Sequence, residues 1–208
     1  MDDEELARRS IRGFAEMVAR LDGAGTDNPW IDATVDEGDA YAIWSRGNRV
    51  RGRVEDPSLA MPVLGLELAG TDLDGGERDA AAPSMEVVGR INDRAYEQGD
   101  VLRPLFIAAD GAPGLAAHGI RVDGAWACVL LMLRVEDDVA VHFVATESDF
   151  RRRGLASRLI RAALADARAD GASTATLQAS PDGLPVYERL GFRRVATLRA
   201  FLRPGRIA

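Results

Sequence analysis

The chain has 208 residues, of which 47% are hydrophobic and 28% charged, and its formal net charge is −7. This composition is that of a folded globular protein, and the acidic balance excludes the broad basic surface that binds a nucleic-acid backbone. The sequence contains no lysine, which excludes Schiff-base chemistry on a lysine and a phosphate-binding loop that ends in lysine.

Metal and disulfide chemistry find no support in the sequence. Cys128 is the single cysteine, and the two histidines, His118 and His142, lie far apart. We therefore expect no disulfide and no metal site, and we predict that Cys128, within the apolar run "ACVLLML", is a buried strand residue. The acidic start "MDDEELARRS" differs from a secretory signal, and no apolar run reaches the ~20 residues of a membrane span. A cytoplasmic protein without a membrane partner is the expectation.

The first part of the chain predicts one helix and two strands. The stretch "DDEELARRSIRGFAEMVARLDG" has an apolar helical stripe, acidic residues in its first turn and Gly23 at its end. The stretches "DAYAIWSRG" and "MPVLGLELAG" predict strands. Residues 70–84 are rich in glycine, aspartate, alanine and proline without periodicity, which predicts a loop. We expect this loop to separate an amino-terminal extension, residues 1–83, from a main domain, residues 84–208.

The main domain predicts a meander followed by alternating helices and strands. Ser84 can cap a helix that ends near Gly99. Two extended runs meet at Asp123 and Gly124, a pair that suits a tight hairpin turn, and residues 139–146 form a third strand. The stretches "LASRLIRAALADARADG", "STATLQAS", "GLPVYERLGF" and "RRVATLRAFLRP" then predict helix, strand, helix and strand. A long helix between two strands predicts that these strands are parallel neighbours.

The stretch "DFRRRGLASRL", residues 149–159, lies where a strand becomes the long helix. The first turn of a helix presents backbone N–H groups without partners and the positive end of the helix dipole. Gly154 has no Cβ and Ala156 has only a methyl group, so a large anion can approach this backbone closely. An arginine-rich helix start on a solvated surface is the alternative. We predict a phosphate-binding turn.

Two motifs follow each other in the carboxy-terminal part of the chain. Residues 151–156 read Arg-Arg-Arg-Gly-Leu-Ala after a strand, and residues 186–192 read "VYERLGF" after the next strand. In this order the two motifs resemble those of the GNAT superfamily of acyl-CoA-dependent N-acyltransferases. The resemblance covers residues 139–204, extends back toward Ser84 and is absent before it. It implies an α/β fold, α+β in some schemes, with a mixed, mostly antiparallel sheet, a splayed parallel strand pair and flanking helices.

The resemblance also implies a cofactor site for acetyl-CoA as the cosubstrate. In the family, amides of the glycine-rich turn hold the diphosphate, and the splayed strand pairs with the pantetheine arm as an added strand would. At Ser180, where many members carry asparagine, a hydroxyl can still donate a hydrogen bond. The implied cofactor-binding residues are Val144, Ala145, Thr146, Arg151, Arg152, Arg153, Gly154, Leu155, Ala156, Ser157 and Ser180.

The activity that the resemblance implies is direct transfer of an acetyl group from acetyl-CoA to an amine. Tyr187 aligns with the family's tyrosine and is the predicted catalytic acid, which protonates the leaving thiolate. A tyrosine that only packs on its short helix is the alternative. Glu147 follows the strand, and His142 falls by period-two counting on the same strand face as Val144 and Thr146. Neither residue receives a firm role as the base.

The sequence does not identify the amine that accepts the acetyl group. This acceptor is a small-molecule amine or a protein amino group, and the acidic surface favours a cationic amine. Because no base is evident, a non-catalytic acyl-CoA-binding sensor is the alternative function. A third hypothesis treats residues 1–83 as a degenerate related half that shapes the acceptor pocket or a homodimer interface.

Overall fold

The first element of the computed structural model, which describes residues 1–23, 33–37, 40–44 and 59–201, is a long helix. This helix, α1 (Asp3–Gly23), begins with acidic residues, which the positive end of the helix dipole stabilises. Its apolar stripe is buried, as Leu6, Ile11 and Met17 show. The predicted amino-terminal helix is confirmed.

The other elements include every helix and strand that the sequence predicts, together with β1, α3 and a short 3₁₀ helix at Ser148–Phe150, which it does not. The helix α3 has seven residues, and its N-cap residue, Val101, makes no side-chain cap. The carboxylate of Asp93 in α2 accepts hydrogen bonds from Leu102 N and Arg103 N instead, so the local sequence lacks a start signal. The helix α2 ends before Gly99, because Glu97 (φ 55°) and Gly99 (φ 69°) both leave the helical region. The elements are β1 (Ala33–Glu37), β2 (Ala40–Trp44), β3 (Leu59–Glu67), α2 (Met85–Ala95), α3 (Leu102–Ala108), β4 (Leu115–Val122), β5 (Ala125–Val135), β6 (Asp138–Thr146), α4 (Leu155–Ala169), β7 (Thr174–Gln178), α5 (Leu184–Arg189) and β8 (Arg193–Phe201).

The strands form one eight-stranded sheet in the order β1-β2-β8-β3-β7-β6-β5-β4. The strands β4, β5 and β6 form the predicted antiparallel meander. Its first turn contains Asp123 (φ 51°) and Gly124 (φ 81°), the two positive φ angles that a tight hairpin turn requires. The strands β6 and β7 are parallel, as predicted, and so are β2 and β8. The expected mixed, mostly antiparallel sheet with flanking helices is confirmed.

The parallel strands β6 and β7 separate soon after they meet. Their pairing runs from Asp138 opposite Thr174 to Ala140 opposite Thr176, although β6 continues to Thr146. A β-bulge accompanies the separation, because β6 carries one residue more than β5 between two matched pairs, and Phe143 in this stretch has φ 52°. A bulge bends its strand, so β6 turns away from β7. The predicted splayed pair is confirmed.

Helices cover both faces of the sheet. The helix α4 packs Leu159 and Leu164 against one face, where Leu130 of β5 belongs to the same core. The helices α1 and α2 cover the other face, where Leu131 of β5 belongs to a second core. Because β5 is buried on both faces, it reads as a continuous apolar run. Cys128 lies fully buried in this strand, as predicted.

The described strands before position 84 belong to the same sheet as those after it. The strand β3 lies between β7 and β8 and pairs antiparallel with both, while α1 packs across β3, β7 and β8. The loop that follows β3 contains no helix or strand between residues 70 and 84, as predicted. The division at residue 83 stays a prediction, and the segment before it supplies an inner strand of the sheet.

Within residues 1–23, 33–37, 40–44 and 59–201, no helix is both long and apolar enough to cross a membrane. The same ranges contain no cluster of histidine, cysteine, aspartate or glutamate that could hold a metal ion.

Candidate functional site

The start of α4 presents a row of free backbone amides. Gly154 is the N-cap residue, with φ 73° and ψ 9°, and no side chain caps the helix. Within the described part of the chain, the N–H groups of Gly154, Leu155, Ala156 and Ser157 form no hydrogen bond, and the first bonded amide is Arg158 N, 3.1 Å from Gly154 O. Unpaired amides at a helix N-terminus bind anions. The predicted phosphate-binding turn therefore has the backbone geometry that this role requires.

The turn is not filled by the arginine side chains beside it. Arg151 Nε donates to Thr146 O at 3.1 Å, and an Arg153 terminal nitrogen donates to Asp149 O at 3.0 Å. Arg152 is exposed and has φ 62°. A Cβ placed on Gly154 would meet no atom within 4 Å, so the space beside this residue is open. The arginines thus surround the turn and add positive charge without blocking its amides.

A cavity of about 400 Å³ lies where β6 and β7 separate. It joins the first turn of α4, represented by Ala156, to the unpaired end of β6 and to Tyr187 of α5. Predicted site residues that line it are Val144, Thr146, Ala156, Ser180 and Tyr187. The side chain of Ala145 is instead buried in the core beneath α1 and α2, so this residue can offer only its backbone.

The hydroxyl of Tyr187 is held in an apolar setting without a partner. The residue is 9% exposed, and its ring meets that of Phe192 edge-on, with 6.0 Å between the ring centroids. Its Oη forms no hydrogen bond to any described residue, whereas the residue itself lines the cavity. Burial, with smaller effects of Tyr96 and Cys128, raises the pKa of Tyr187 above its ordinary value. Tyr187 therefore keeps its proton at neutral pH, as a general acid must.

Cys128 and Thr146 lie beside this tyrosine and form a hydrogen bond of their own. Thr146 Oγ1 donates to Cys128 Sγ at 3.2 Å. Burial raises the pKa of Cys128 to about 11, so the thiol stays protonated. Since the thiolate is the reactive form, Cys128 is not poised as a nucleophile.

Ser180 stabilises the turn that leads into α5. Its Oγ accepts a hydrogen bond from Gly183 N at 3.2 Å, and the residue also lines the cavity. The hydroxyl proton remains available, because it is the oxygen lone pair that serves Gly183. A hydrogen bond from Ser180 toward a cofactor stays a prediction.

Glu147 lies outside the Tyr187 cavity. Its carboxylate forms an ion pair with Arg94 at 3.3 Å. The residue lines a second cavity of about 610 Å³, formed by the end of α2, the β4-β5 turn and the loop after β6, and Arg151 lines it as well. Glu147 is therefore not positioned to accept a proton beside Tyr187.

The placement of His142 on the strand face of Val144 and Thr146 is wrong. The bulge at Phe143 interrupts the period of two. The ring of His142 lies 6.0 Å from the ring of Phe14 in α1, whereas Val144 packs against the core beneath α4. A bulge is a tertiary feature of the strand pair, and counting along one strand cannot reveal it.

Tyr96 and Gln178 are cavity residues that the sequence analysis did not single out. Tyr96 Oη donates to Val144 O at 3.1 Å, at the unpaired end of β6. Gln178 ends β7 and lines the same cavity. The predicted parallel pair could have pointed to Gln178 as a strand-end residue, whereas the position of Tyr96 depends on how α2 packs and leaves no local signal.

The sheet with its splayed pair, together with the free amides at the start of the following helix, defines a GNAT-like fold. Solved structures support this. A GCN5-related N-acetyltransferase from Kribbella flavida has a TM-score of 0.51 and 24% identity, with 68% of this chain and 57% of that chain covered. One from Sphaerobacter thermophilus has a TM-score of 0.53 and 11% identity, with 79% and 73% covered. The ribosomal-protein-S18-alanine N-acetyltransferase from Escherichia coli has a TM-score of 0.51 and 15% identity, with 64% and 99% covered.

The sequence itself matches a family model. Residues 118–201 match the model described as an acetyltransferase (GNAT) domain. This match covers the part of the chain that carries both motifs, and over these residues the chain is similar to GNAT acetyltransferases, as the motifs indicate. The chain spans less than two thirds of the length of some solved relatives, with 57% of the Kribbella flavida chain and 58% of a functionally unknown conserved protein from Staphylococcus epidermidis covered. No curated protein matches the chain significantly.

Proposed function

We propose that this protein is an N-acetyltransferase that moves an acetyl group from acetyl-CoA to an amine by direct transfer. The observation that carries the proposal is the cavity between β6 and β7, which the first turn of α4 and the Tyr187 side chain both line. Such a cavity can hold an extended thioester arm between an anion site and a proton donor. The acceptor is a small-molecule amine or a protein amino group.

The residues of this chain fit an acyl-CoA at three points. The amides of Gly154, Leu155, Ala156 and Ser157 would bind the diphosphate, together with those of Arg152 and Arg153 in the turn before them. The side chains of Arg151, Arg152 and Arg153 would add positive charge around it. Past Ala140, β6 pairs with no described strand on its β7 side, so backbone groups of Val144, Ala145 and Thr146 could pair with the amides of the pantetheine arm.

Tyr187 would supply the proton that the leaving sulfur needs. When bound, acetyl-CoA supplies the activated acetyl group as a thioester. As the C–N bond forms and the C–S bond breaks, Tyr187 gives its proton to the sulfur and regains one from water, while the amine nitrogen loses one proton to water. Protons balance, and general acid catalysis of this kind contributes ~10²- to 10⁴-fold to the rate.

The alternative is a sensor that binds acyl-CoA and catalyses nothing. Titration calorimetry of the whole chain with acetyl-CoA, followed by thiol release from acetyl-CoA in a broad panel of amines, separates the possibilities. We expect binding, amine-dependent thiol release, and loss of that release but not of binding in Tyr187→Phe. Binding without thiol release for any amine would favour the sensor, and absence of binding at millimolar acetyl-CoA would refute both.

A further inference from the structure

Two buried hydrogen-bond acceptors without partners lie where β6 and β7 separate. His142 Nε2 and Gln178 Oε1 are shielded from solvent and have no hydrogen-bond partner within the described ranges. Each residue follows the last paired residue of its strand, Ala140 or Thr176, by two positions, and both residues line the Tyr187 cavity. Because an unpaired buried acceptor is unfavourable, a ligand that donates hydrogen bonds here would be stabilised.

Contacts with the helix α1 determine which atoms of these two side chains have no hydrogen-bond partner. Gln178 Nε2 donates to Ser10 Oγ at 2.7 Å and to Ser10 O at 3.2 Å, so the amide oxygen is the free group. The His142 ring forms a hydrogen bond with the backbone of Gly13, and because Nε2 has no described partner, we assign the proton of this bond to Nδ1 and the lone pair to Nε2. The close approach of α1 to β6 needs glycine at position 13, because a Cβ there would lie 2.5 Å from the Cβ of Ala140.

The His142 ring is neutral in this environment. Burial lowers the pKa of His142 to about 4, and the hydrogen bond to Gly13 opposes this only in part. At neutral pH, Nε2 is therefore an acceptor and not a donor. The two unpaired atoms where β6 and β7 separate, His142 Nε2 and Gln178 Oε1, are therefore both hydrogen-bond acceptors.

The rest of the cavity is uncharged. Among the described residues, no aspartate, glutamate or arginine lines it, and its wall toward α1, β3 and α3 contains Phe14, Met61 and Leu102. A charged body would lose its hydration here without gaining a counter-ion. The lining suits a ligand whose body is apolar.

We propose that His142 Nε2 and Gln178 Oε1 accept the two N–H bonds of a neutral primary amine whose remaining body is uncharged and apolar. This assignment of the acceptor rests on the proposed acetyltransferase function. A primary amine has two N–H donors and one lone pair. With both donors bound on the α1 side of the gap, the lone pair is left for attack on the acetyl carbon. The acidic net charge of the chain favours a cationic acceptor, but the lining of this cavity favours a neutral one.

A site with two hydrogen-bond acceptors should discriminate between classes of amine, and enzyme kinetics can measure this. An N-methylated amine has one N–H donor too few, and one of the two acceptors is then left unpaired. A polyamine brings further ammonium groups into a cavity without described carboxylates. We therefore expect 2-phenylethylamine to be a better acceptor than N-methyl-2-phenylethylamine or spermidine, by about 10- to 100-fold in kcat/KM for the loss of one buried hydrogen bond.

The test compares these three amines in the whole chain, using thiol release from acetyl-CoA and calorimetric binding of 2-phenylethylamine to the protein saturated with CoA. In His142→Asn the shorter side-chain amide can keep the donor to Gly13 but places no acceptor at the position of Nε2, and His142→Gln returns an acceptor near that position. His118→Asn is the matched control, because His118 Nε2 is also buried without a described partner but His118 does not line this cavity. Melting temperatures identify any variant that fails to fold.

With 2-phenylethylamine as the acceptor, we expect His142→Asn to lower both the binding affinity and the catalytic efficiency by about 10- to 100-fold. We expect His142→Gln to restore most of both, and His118→Asn to change neither. The inference is overturned if spermidine or the N-methylated amine is acetylated as efficiently as 2-phenylethylamine, or if folded His142→Asn binds 2-phenylethylamine as wild type does. In either case the acetyltransferase function stands. If the protein binds acetyl-CoA but no amine in a broad panel releases thiol, the proposed function itself fails.

Discussion

Placing a negative charge in the first turn of α4 should have opposite effects on folding and on cofactor binding. Ser157 is the third residue of this helix, and its amide is one of the four without a described partner. In Ser157→Glu the carboxylate interacts with the positive end of the helix dipole, which stabilises a protein by ~0.3–1 kcal/mol. The same carboxylate repels the diphosphate that we propose binds these amides. Ser157→Gln is the control of nearly equal shape without the charge.

The expected loss of affinity follows from Coulomb's law. Two unit charges about 8 Å apart, roughly one and a half helical turns, interact by ~2 kcal/mol at an effective dielectric constant of ~20. At 0.15 M ionic strength the Debye length is also ~8 Å, so each repulsion falls to ~0.8 kcal/mol. Two phosphate charges then weaken acetyl-CoA binding about tenfold, and about 200-fold at 0.01 M salt, where screening is slight.

Titration calorimetry at 0.01 M and 0.15 M salt measures the affinity, and urea denaturation measures the free energy of unfolding. We expect Ser157→Glu to be slightly more stable than Ser157→Gln and yet to bind acetyl-CoA more weakly, with a larger difference at low salt. Equal affinities for the two variants at 0.01 M salt would show that the diphosphate does not lie at the start of α4.

The remaining predictions concern pH and the amino-terminal segment. Because burial raises the pKa of Tyr187 above 10, thiol release should show no decline assignable to its ionisation below pH 10, and a Tyr187-dependent decline near pH 8 would contradict this assignment. Burial also raises the pKa of Asp138 above 3.8, although Thr174 and Thr176 donate hydrogen bonds to it. Its contribution to stability is therefore fully present below pH 3.8 and lost as pH rises through the folded-state pKa. Urea denaturation should show Asp138→Asn gaining stability relative to wild type between pH 3.5 and pH 8, and a relative loss would refute this. Deleting residues 1–83 removes β3 from between β7 and β8, and we expect no cooperative melting transition; a wild-type melting temperature would argue against this role of β3.

Much of the fold could be predicted because the sequence signals for its helices and turns lie within single segments of the chain. The helical stripe of α4, the paired turn residues Asp123 and Gly124, and the Ser84 cap all depend on the conformational preferences of residues close in sequence. The unpaired amides around Gly154, where we propose that the diphosphate binds, could be predicted for the same reason, since free amides are a property of any helix N-terminus without a cap. The expectation of a buried Cys128 followed from the apolar run around it.

The tertiary structure decided the features that depend on partners distant in sequence. The insertion of β3 between β7 and β8 requires strand pairing across more than a hundred residues, for example Gly65 with Thr176. The bulge at Phe143 exists only relative to β5, and it moved His142 to the α1 side of the sheet. The free acceptors of His142 and Gln178 are defined by their contacts with Gly13 and Ser10 in α1. Sequence periodicity reports the conformation of one segment, whereas the wall of this cavity that contains His142 and Gln178 forms where a bent strand, its parallel neighbour and the first helix meet.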